Sequence, residues 1–466
     1  MKLSFHGAAR TVTGSKHLLH LKDGAKLLFD CGMFQGMGKD TVPLNENWGF
    51  DPSTIQYVIL SHAHIDHSGL LPKLVKDGFN GKIFCTAATK DLAEILLLDS
   101  AEIQRDDTEY SNKKRLKRGE PLIEPLYSVD DAKSVFPLMQ IVEYRTWTAI
   151  DSNIEVLFTD AGHIIGSAAV HVRIKEEGKT EQLTFSGDVG RYGDVILKSP
   201  EEFPQSDHII LESTYGSSLH EDHISTADHF LQWINKTCVE KKGKLIIPAF
   251  SVGRTQELLY FLNQLQLERQ LPKVPVYVDS PLSKEATDVV KSHSEGFNKY
   301  IKKLLLTDSD PFDFPGLKFI HTAEESKKLN FLPQPCIIIS ASGMADAGRI
   351  KHHIKNNISD PKNTILIVGY SEPNSLGGRL MNGAKRVRIF REEYDVKAEI
   401  GIMRSMSAHG DYEDLCQFLA CQDPSMVKNL FLVHGEYDVQ IEFQRRLLKK
   451  GFKIVEVPAQ HSLYNL

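Results

Sequence analysis

Ser61-His62-Ala63-His64-Ile65-Asp66-His67 follows directly on the apolar run Tyr57-Val58-Ile59-Leu60. Three imidazoles and a carboxylate crowd the few positions after a strand-like stretch. These are the ligands that borderline cations such as Zn²⁺ take. In an extended segment His62 and His64 point to the same side and can share one cation. Asp66 and His67, on the following bend, can turn toward a second.

The same arrangement recurs along the chain. Lys26-Leu27-Leu28-Phe29 leads to Asp30, and Val156-Leu157-Phe158-Thr159 leads through Asp160-Ala161-Gly162 to His163. Leu183-Thr184-Phe185 leads to Asp188, His208-Ile209-Ile210-Leu211 to Glu212, and Leu430-Phe431-Leu432-Val433 to His434. Buried strands that end in polar groups place those groups on one rim of a sheet, where α/β enzymes build their sites.

At 466 residues the chain is too long for one ordinary core, which predicts two or three domains. Hydrophobic residues make up 41% and charged residues 25%, as in a soluble globular protein. No apolar run is long enough to span a bilayer, and Met1-Lys2-Leu3-Ser4-Phe5-His6-Gly7 is too polar for a secretion signal. The six cysteines are scattered without a CxxC pair, which predicts reduced thiols and a cytoplasmic location. With a net charge of −6, a polyanionic substrate must find a local basic patch. The cluster Lys113-Lys114-Arg115-Leu116-Lys117-Arg118 reads as the solvated end of a helix running from Asp91 to about Arg118. A shorter helix is expected from Leu70 to Lys76.

Between about 244 and 370 the rhythm changes. Strand candidates Leu245 to Phe250, Val274 to Val278, Cys336 to Ser340 and Thr364 to Val368 alternate with helical stretches such as Thr255 to Gln266. This predicts a doubly wound parallel sheet. Metal-type residues resume at His409 and His434, so a metal domain interrupted by an inserted α/β domain is the simplest reading.

Together these segments resemble the metallo-β-lactamase superfamily. Within it the chain is similar to the β-CASP ribonucleases, the group of the mRNA 3′-end cleavage endonuclease and its bacterial and archaeal relatives. The broader likeness rests on 61–67, on Ala161-Gly162-His163-Ile164-Ile165-Gly166-Ser167 and on Ser186-Gly187-Asp188. The narrower one rests on Glu212-Ser213-Thr214-Tyr215-Gly216, on the segment from Ile247 to Glu257 and on Val278-Asp279-Ser280-Pro281-Leu282. It continues in Ser342-Gly343-Met344, Ser407-Ala408-His409-Gly410-Asp411 and Val433-His434-Gly435-Glu436, in order over nearly the whole chain. The resemblance implies an α/β fold in which a metallo-β-lactamase αββα sandwich spans 1–212 and 393–466. A β-CASP domain at 213–392 is inserted into it.

By that resemblance, two Zn²⁺ ions are expected. His62, His64 and His163 hold the first, Asp66, His67 and His434 the second, and Asp188 bridges them, with a shared water or hydroxide as nucleophile. Asp30 orients a histidine ligand without touching metal. His409 is the implied general acid and Glu212 its partner. A histidine at 434 goes with the RNA-acting members. Arg254, Ser342 and Arg379 are the candidate phosphate contacts, whereas His352, His353 and His461 read as structural or surface groups. The expectation is a cytoplasmic, zinc-dependent ribonuclease, endo or exo, with single-stranded RNA in the groove between domains. No membrane partner is expected, and a homodimer stays open. The alternative on the same fold is hydrolysis of a small thioester or lactone, for which Glu212, His409 and the insertion have little use. A metal-free scaffold is a third class, disfavoured by seven intact ligand positions.

Overall fold

The computed structural model describes residues 1–220, 226–369 and 371–466. By its internal contacts the chain divides into two units, Met1–Leu219 with His409–Leu466, and His220–Ala408. The strand Glu399–Met403 pairs in parallel with Thr364–Val368, which groups it with the second unit by contacts.

The first unit holds two seven-stranded sheets. One runs in the order Leu463–Asn465, Lys2–Gly7, Lys16–His20, Lys26–Phe29, Tyr57–Ile59, Lys82–Cys85, Met139–Ile141. The other runs Val455–Glu456, Asn429–Val433, His208–Glu212, Lys179–Phe185, Ala168–Glu176, Ile154–Asp160, Thr148–Ala149. Alternate residues of both sheets meet in one core. Leu27 and Phe29 from the first pack with Val156, Phe158, Val170, Val172, Leu183 and Phe185 from the second. The period of two is the pleat: every second side chain turns inward. On its other face the second sheet is covered by the helices Tyr412–Phe418 and Tyr437–Lys449, through Leu415, Phe418, Phe443 and Leu447.

Strand direction then fixes a rim. Lys26–Phe29 and Tyr57–Ile59 are parallel. So are Lys179–Phe185, His208–Glu212 and Asn429–Val433. Ile154–Asp160 runs the same way, since it and Lys179–Phe185 both oppose Ala168–Glu176. The residues that leave these strands therefore emerge at common edges.

The second unit is built on a six-stranded, all-parallel sheet in the order Leu317–Phe319, Val276–Val278, Cys336–Ser340, Lys244–Pro248, Thr364–Val368, Glu399–Met403. Its Ile-rich interior includes Ile246, Ile350, Ile354, Ile365 and Ile367. The strand expected from Val274 begins at Val276, after Pro275, which has no N–H to give to a ladder.

Two local departures bear on the site. Residues 61–64 have no regular structure, and Asp66 and His67 lie on a helical turn, Ile65–Ser68, rather than a bend. The long helix spans Ala87–Lys117 and starts earlier than Asp91 because Thr86 caps it, accepting from Thr89 N at 3.2 Å. Its buried residues end at Ala101; in the basic end Lys113, Lys117 and Arg118 are exposed and Lys114 and Arg115 half-buried.

Two stability predictions follow from this packing. Phe185, 1% exposed, lies with its ring centroid 5.5 Å from those of Phe29 and His17. Phe185→Ala should destabilise the first unit by about 3–5 kcal/mol, read as a lower urea midpoint at unchanged slope. Asp160 accepts from Gly162 N at 2.9 Å. Burial, against that amide and with Glu201 adding to it, pushes its carboxyl up to about 7. A folded value above the unfolded one makes the protonated group a stabiliser below the unfolded carboxyl range, a contribution lost as pH rises through about 7. Asp160→Asn should flatten that part of the stability–pH curve.

Candidate metal centre

Five histidines and two aspartates from separate strand ends converge in the first unit. His62, His64, His163 and Asp188 form one group of facing ligand atoms, and Asp66, His67 and His434 a second. His62 Nε2 and His163 Nε2 each lie 3.2 Å from His64 Nδ1. In the second group His434 Nε2 lies 3.2 Å from His67 Nε2 and 3.4 Å from Asp66 Oδ2. Asp188 Oδ2 stands between the groups, 3.5 Å from His62 Nε2, 3.5 Å from His163 Nε2 and 3.3 Å from His67 Nε2.

The outward nitrogens are held by other residues. His67 Nδ1 donates to Asp30 Oδ2 at 2.6 Å, and Asp30 also accepts from Ser61 N and Ser61 Oγ, both at 2.8 Å. Ser61 Oγ is 3.0 Å from His62 Nδ1, and Thr214 Oγ1 is 3.0 Å from His434 Nδ1. Fixing one ring nitrogen aims the other and sets its tautomer. Asp30 thus sits behind the His67 ring. Ser61 and Thr214 were not singled out. The signal for Ser61 was its place between the strand and His62, and for Thr214 its place in Glu212-Ser213-Thr214.

Backbone geometry aims the ligands as well. Asp30 and His434 adopt φ of 58° and 49°, a region that side chains other than glycine seldom occupy. A Cβ on Gly32 would fall 1.6 Å from the carbonyl oxygen of Asp66, so the two segments touch only because residue 32 is glycine.

The carboxylates and histidines of the cluster are electrostatically linked. Burial opposes ionisation of Asp66 and Asp188, yet the histidines outweigh it: Asp66 is held down to about 2, by His67 first, and Asp188 well below the usual carboxylate range, by His434 and His67. Burial likewise opposes charge on His67, but Asp188, Asp30 and Asp66 hold it well above the usual imidazole range. Burial keeps His62 low and takes His64 down to about 4. Asp188 Oδ1 is buried without a hydrogen bond. Buried carboxylates that face imidazole nitrogens, one of them with an unused oxygen, fit divalent cations of the zinc type.

His409 borders the cluster with a different character. Its side chain is 17% exposed, against 4% or less for His62, His67, His163 and His434. Its Nδ1 lies 3.1 Å from Glu212 Oε1 and 3.9 Å from Asp188 Oδ2. Burial opposes its protonation, but Glu212 and Asp188 outweigh that and hold it up at about 9. Glu212 is fully buried and also accepts from Val189 N and Thr214 N. His409, Asp188 and His434 also lie within ligand distance of one another, but Glu212 already engages His409 Nδ1. Two residues on, Asp411 caps the helix Tyr412–Phe418.

Arg254, Ser342 and Arg379 belong to the second unit. Arg254 is 6% exposed and its guanidinium donates to Glu257, so its charge is matched internally. Arg379 Nε donates to Ser375 O at 3.3 Å, and Ser342 Oγ accepts from Ala347 N at 3.4 Å.

Comparison with known proteins agrees with this architecture. The family model of the metallo-beta-lactamase superfamily matches residues 17–219, that of the Beta-Casp domain residues 255–380, and that of the Zn-dependent metallo-hydrolase RNA specificity domain residues 393–458. The chain is 34% identical to Ribonuclease TTHA0252 of Thermus thermophilus over 97% of each protein. It is 30% identical to the RNase J-like protein of Methanocaldococcus jannaschii, over 96% of this chain and 95% of that one. It is also 30% identical to the Transcription termination factor FttA of Methanosarcina mazei, over 95% of this chain and 68% of that longer protein. Among the described residues no helix is long and apolar enough to cross a membrane. The chain belongs to the β-CASP family of the metallo-β-lactamase superfamily and is a metal-dependent hydrolase of the nuclease class.

Proposed function

We propose that the protein is a two-zinc ribonuclease acting on single-stranded RNA. The observation that carries this reading is the pairing of two facing ligand groups, joined by Asp188 Oδ2, with a Glu212–His409 pair at their border. His62, His64 and His163 would hold one ion and Asp66, His67 and His434 the other. When bound, two such ions neutralise phosphate oxygens and acidify a shared water. The side chains supply the rest. Glu212 keeps His409 protonated and oriented, and His409 gives its proton to the departing ribose oxygen, the role of a general acid. Asp30, Ser61 and Thr214 keep His67, His62 and His434 in place. His434 and the match to an RNA specificity domain support RNA as substrate, as do relatives named as ribonucleases. Phosphate contacts by Ser342 and Arg379 are part of the same reading. Arg254 enters it only if its pairing with Glu257 opens.

The purified protein should cut an unstructured, end-labelled RNA and leave a thioester and lactone panel untouched. The reverse result would move the assignment to the small-ester branch, and the product pattern, ladder or mononucleotide, separates endo from exo action. His409→Ala should lower kcat by about 10²–10⁴-fold while metal analysis still finds two ions per chain. Full activity in that variant removes the general acid. Chelation should abolish cleavage and added Zn²⁺ restore it, and Asp30→Asn should weaken metal affinity by about 10–100-fold in a competition titration.

A further inference from the structure

Lys16, at the start of the strand Lys16–His20, is 1% exposed. No carboxylate lies within ion-pair distance of it among the described residues. Its Nζ donates to Gly14 O at 2.9 Å and to Gly32 O at 2.7 Å, and stands 4.3 Å from the centre of the Phe34 ring. A buried ammonium without a counter-ion is costly, and burial, with Lys73 adding to it, brings this one down to about 7. Nearby Cys31 offers no compensating anion, since burial raises its thiol to about 12.

The two carbonyls that Lys16 joins belong to the segments that carry the ligand turn. From the first segment, Ser15 N donates to Asp66 O at 2.8 Å. From the second, Cys31 N donates to His67 O at 2.7 Å and Met33 N to Ile65 O at 2.9 Å, while Asp30 holds the His67 ring. Gly32 N donates to Ser15 O at 2.8 Å and closes the pair into one cradle. None of these bonds reaches His64 or His163, and His62 meets the cradle only at one remove, through Ser61, which donates to Asp30.

We propose that Lys16 is a positioning residue for one half of the metal centre, a buried amine whose two donor contacts brace Gly14 against Gly32 and so set Asp66 and His67 for their ion. The inference rests on the two-cation reading above. It predicts an asymmetric effect: loss of the ammonium loosens the Asp66, His67 and His434 group and leaves the His62, His64 and His163 group intact.

The test is calorimetric titration of the metal-stripped full chain with Zn²⁺, beside thermal denaturation of the same metal-free samples. The parent should bind two equivalents. Lys16→Met, similar in length but without donors, should bind one equivalent as the parent does and the other about tenfold or more weakly. Its metal-free melting temperature should stay within a few degrees of the parent's, because the change also removes an uncompensated buried charge. Two equivalents bound at parental affinity would overturn the brace, as would equal weakening of both together with a large drop in melting temperature. Should Lys16→Met fail to fold, Lys16→Gln decides: selective weakening of one equivalent supports the proposal and parental binding overturns it. A parent that binds fewer than two equivalents overturns the two-cation reading itself, a result visible before any variant is made.

Discussion

The fold closes around a buried carboxylate that faces two sets of histidines at once. Asp188 is 2% exposed, and one of its oxygens lies within 3.5 Å of nitrogens from both sets. A charge so placed is tolerated only if positive charge stands beside it. Protons on the histidines can supply it, and so can divalent cations. The two compete for the same nitrogens, so metal binding at this centre is coupled to proton release. The neutral range imposed on His62 and His64 by burial favours the metal: their lone pairs are available at ordinary pH.

Holding several buried polar side chains face to face takes a rigid frame. The sandwich supplies it through strand ends that run in common directions and are locked by a shared core. Where the chain leaves a strand it bends sharply: Asp30 and His434 have positive φ, a conformation that costs of order 1–3 kcal/mol per residue. At Gly187, with φ of 56°, a Cβ would come 2.7 Å from the Cβ of Ser61, so the Asp188 loop and the histidine loop press together. Strain of this kind persists where surrounding bonds over-determine it, and here Ser61, Thr214 and the cradle of 13–16 and 30–33 do so.

Much of this was legible in the sequence because chemistry and hydrophobicity alternate there so sharply. Leu27-Leu28-Phe29 before Asp30 and Leu430-Phe431-Leu432-Val433 before His434 carry both the strand and the reason for its end. What the sequence hid was set by tertiary pairing. The strands Leu317–Phe319, Glu399–Met403 and Leu463–Asn465 are short and partly exposed, and partner strands hold them in place. Ser61 and Thr214 are common residue types whose role appears only when a ring nitrogen meets them. Nothing in the sequence singles out Lys16, and Arg254 stands there only as a candidate phosphate contact. The burial of Lys16 against two carbonyls and the pairing of Arg254 with Glu257 appear only in the fold.

The position of the insertion follows from the same constraint. The chain leaves the first unit after Leu219 and returns at His409. The two crossings are tied within the first unit by a bridge between Tyr215 and Asp411 and by Tyr412 N donating to Ser218 O at 3.3 Å. A long insertion is thermodynamically tolerable when its ends are held close, since closure entropy grows only slowly with length. Glu212 and His409 face each other beside that closure, although 197 positions separate them in sequence. The contact that orients His409 therefore belongs to the structure that closes the insertion. An intact junction and a placed His409 are, physically, one condition: a chain that returned elsewhere on the sandwich would part His409 from Glu212.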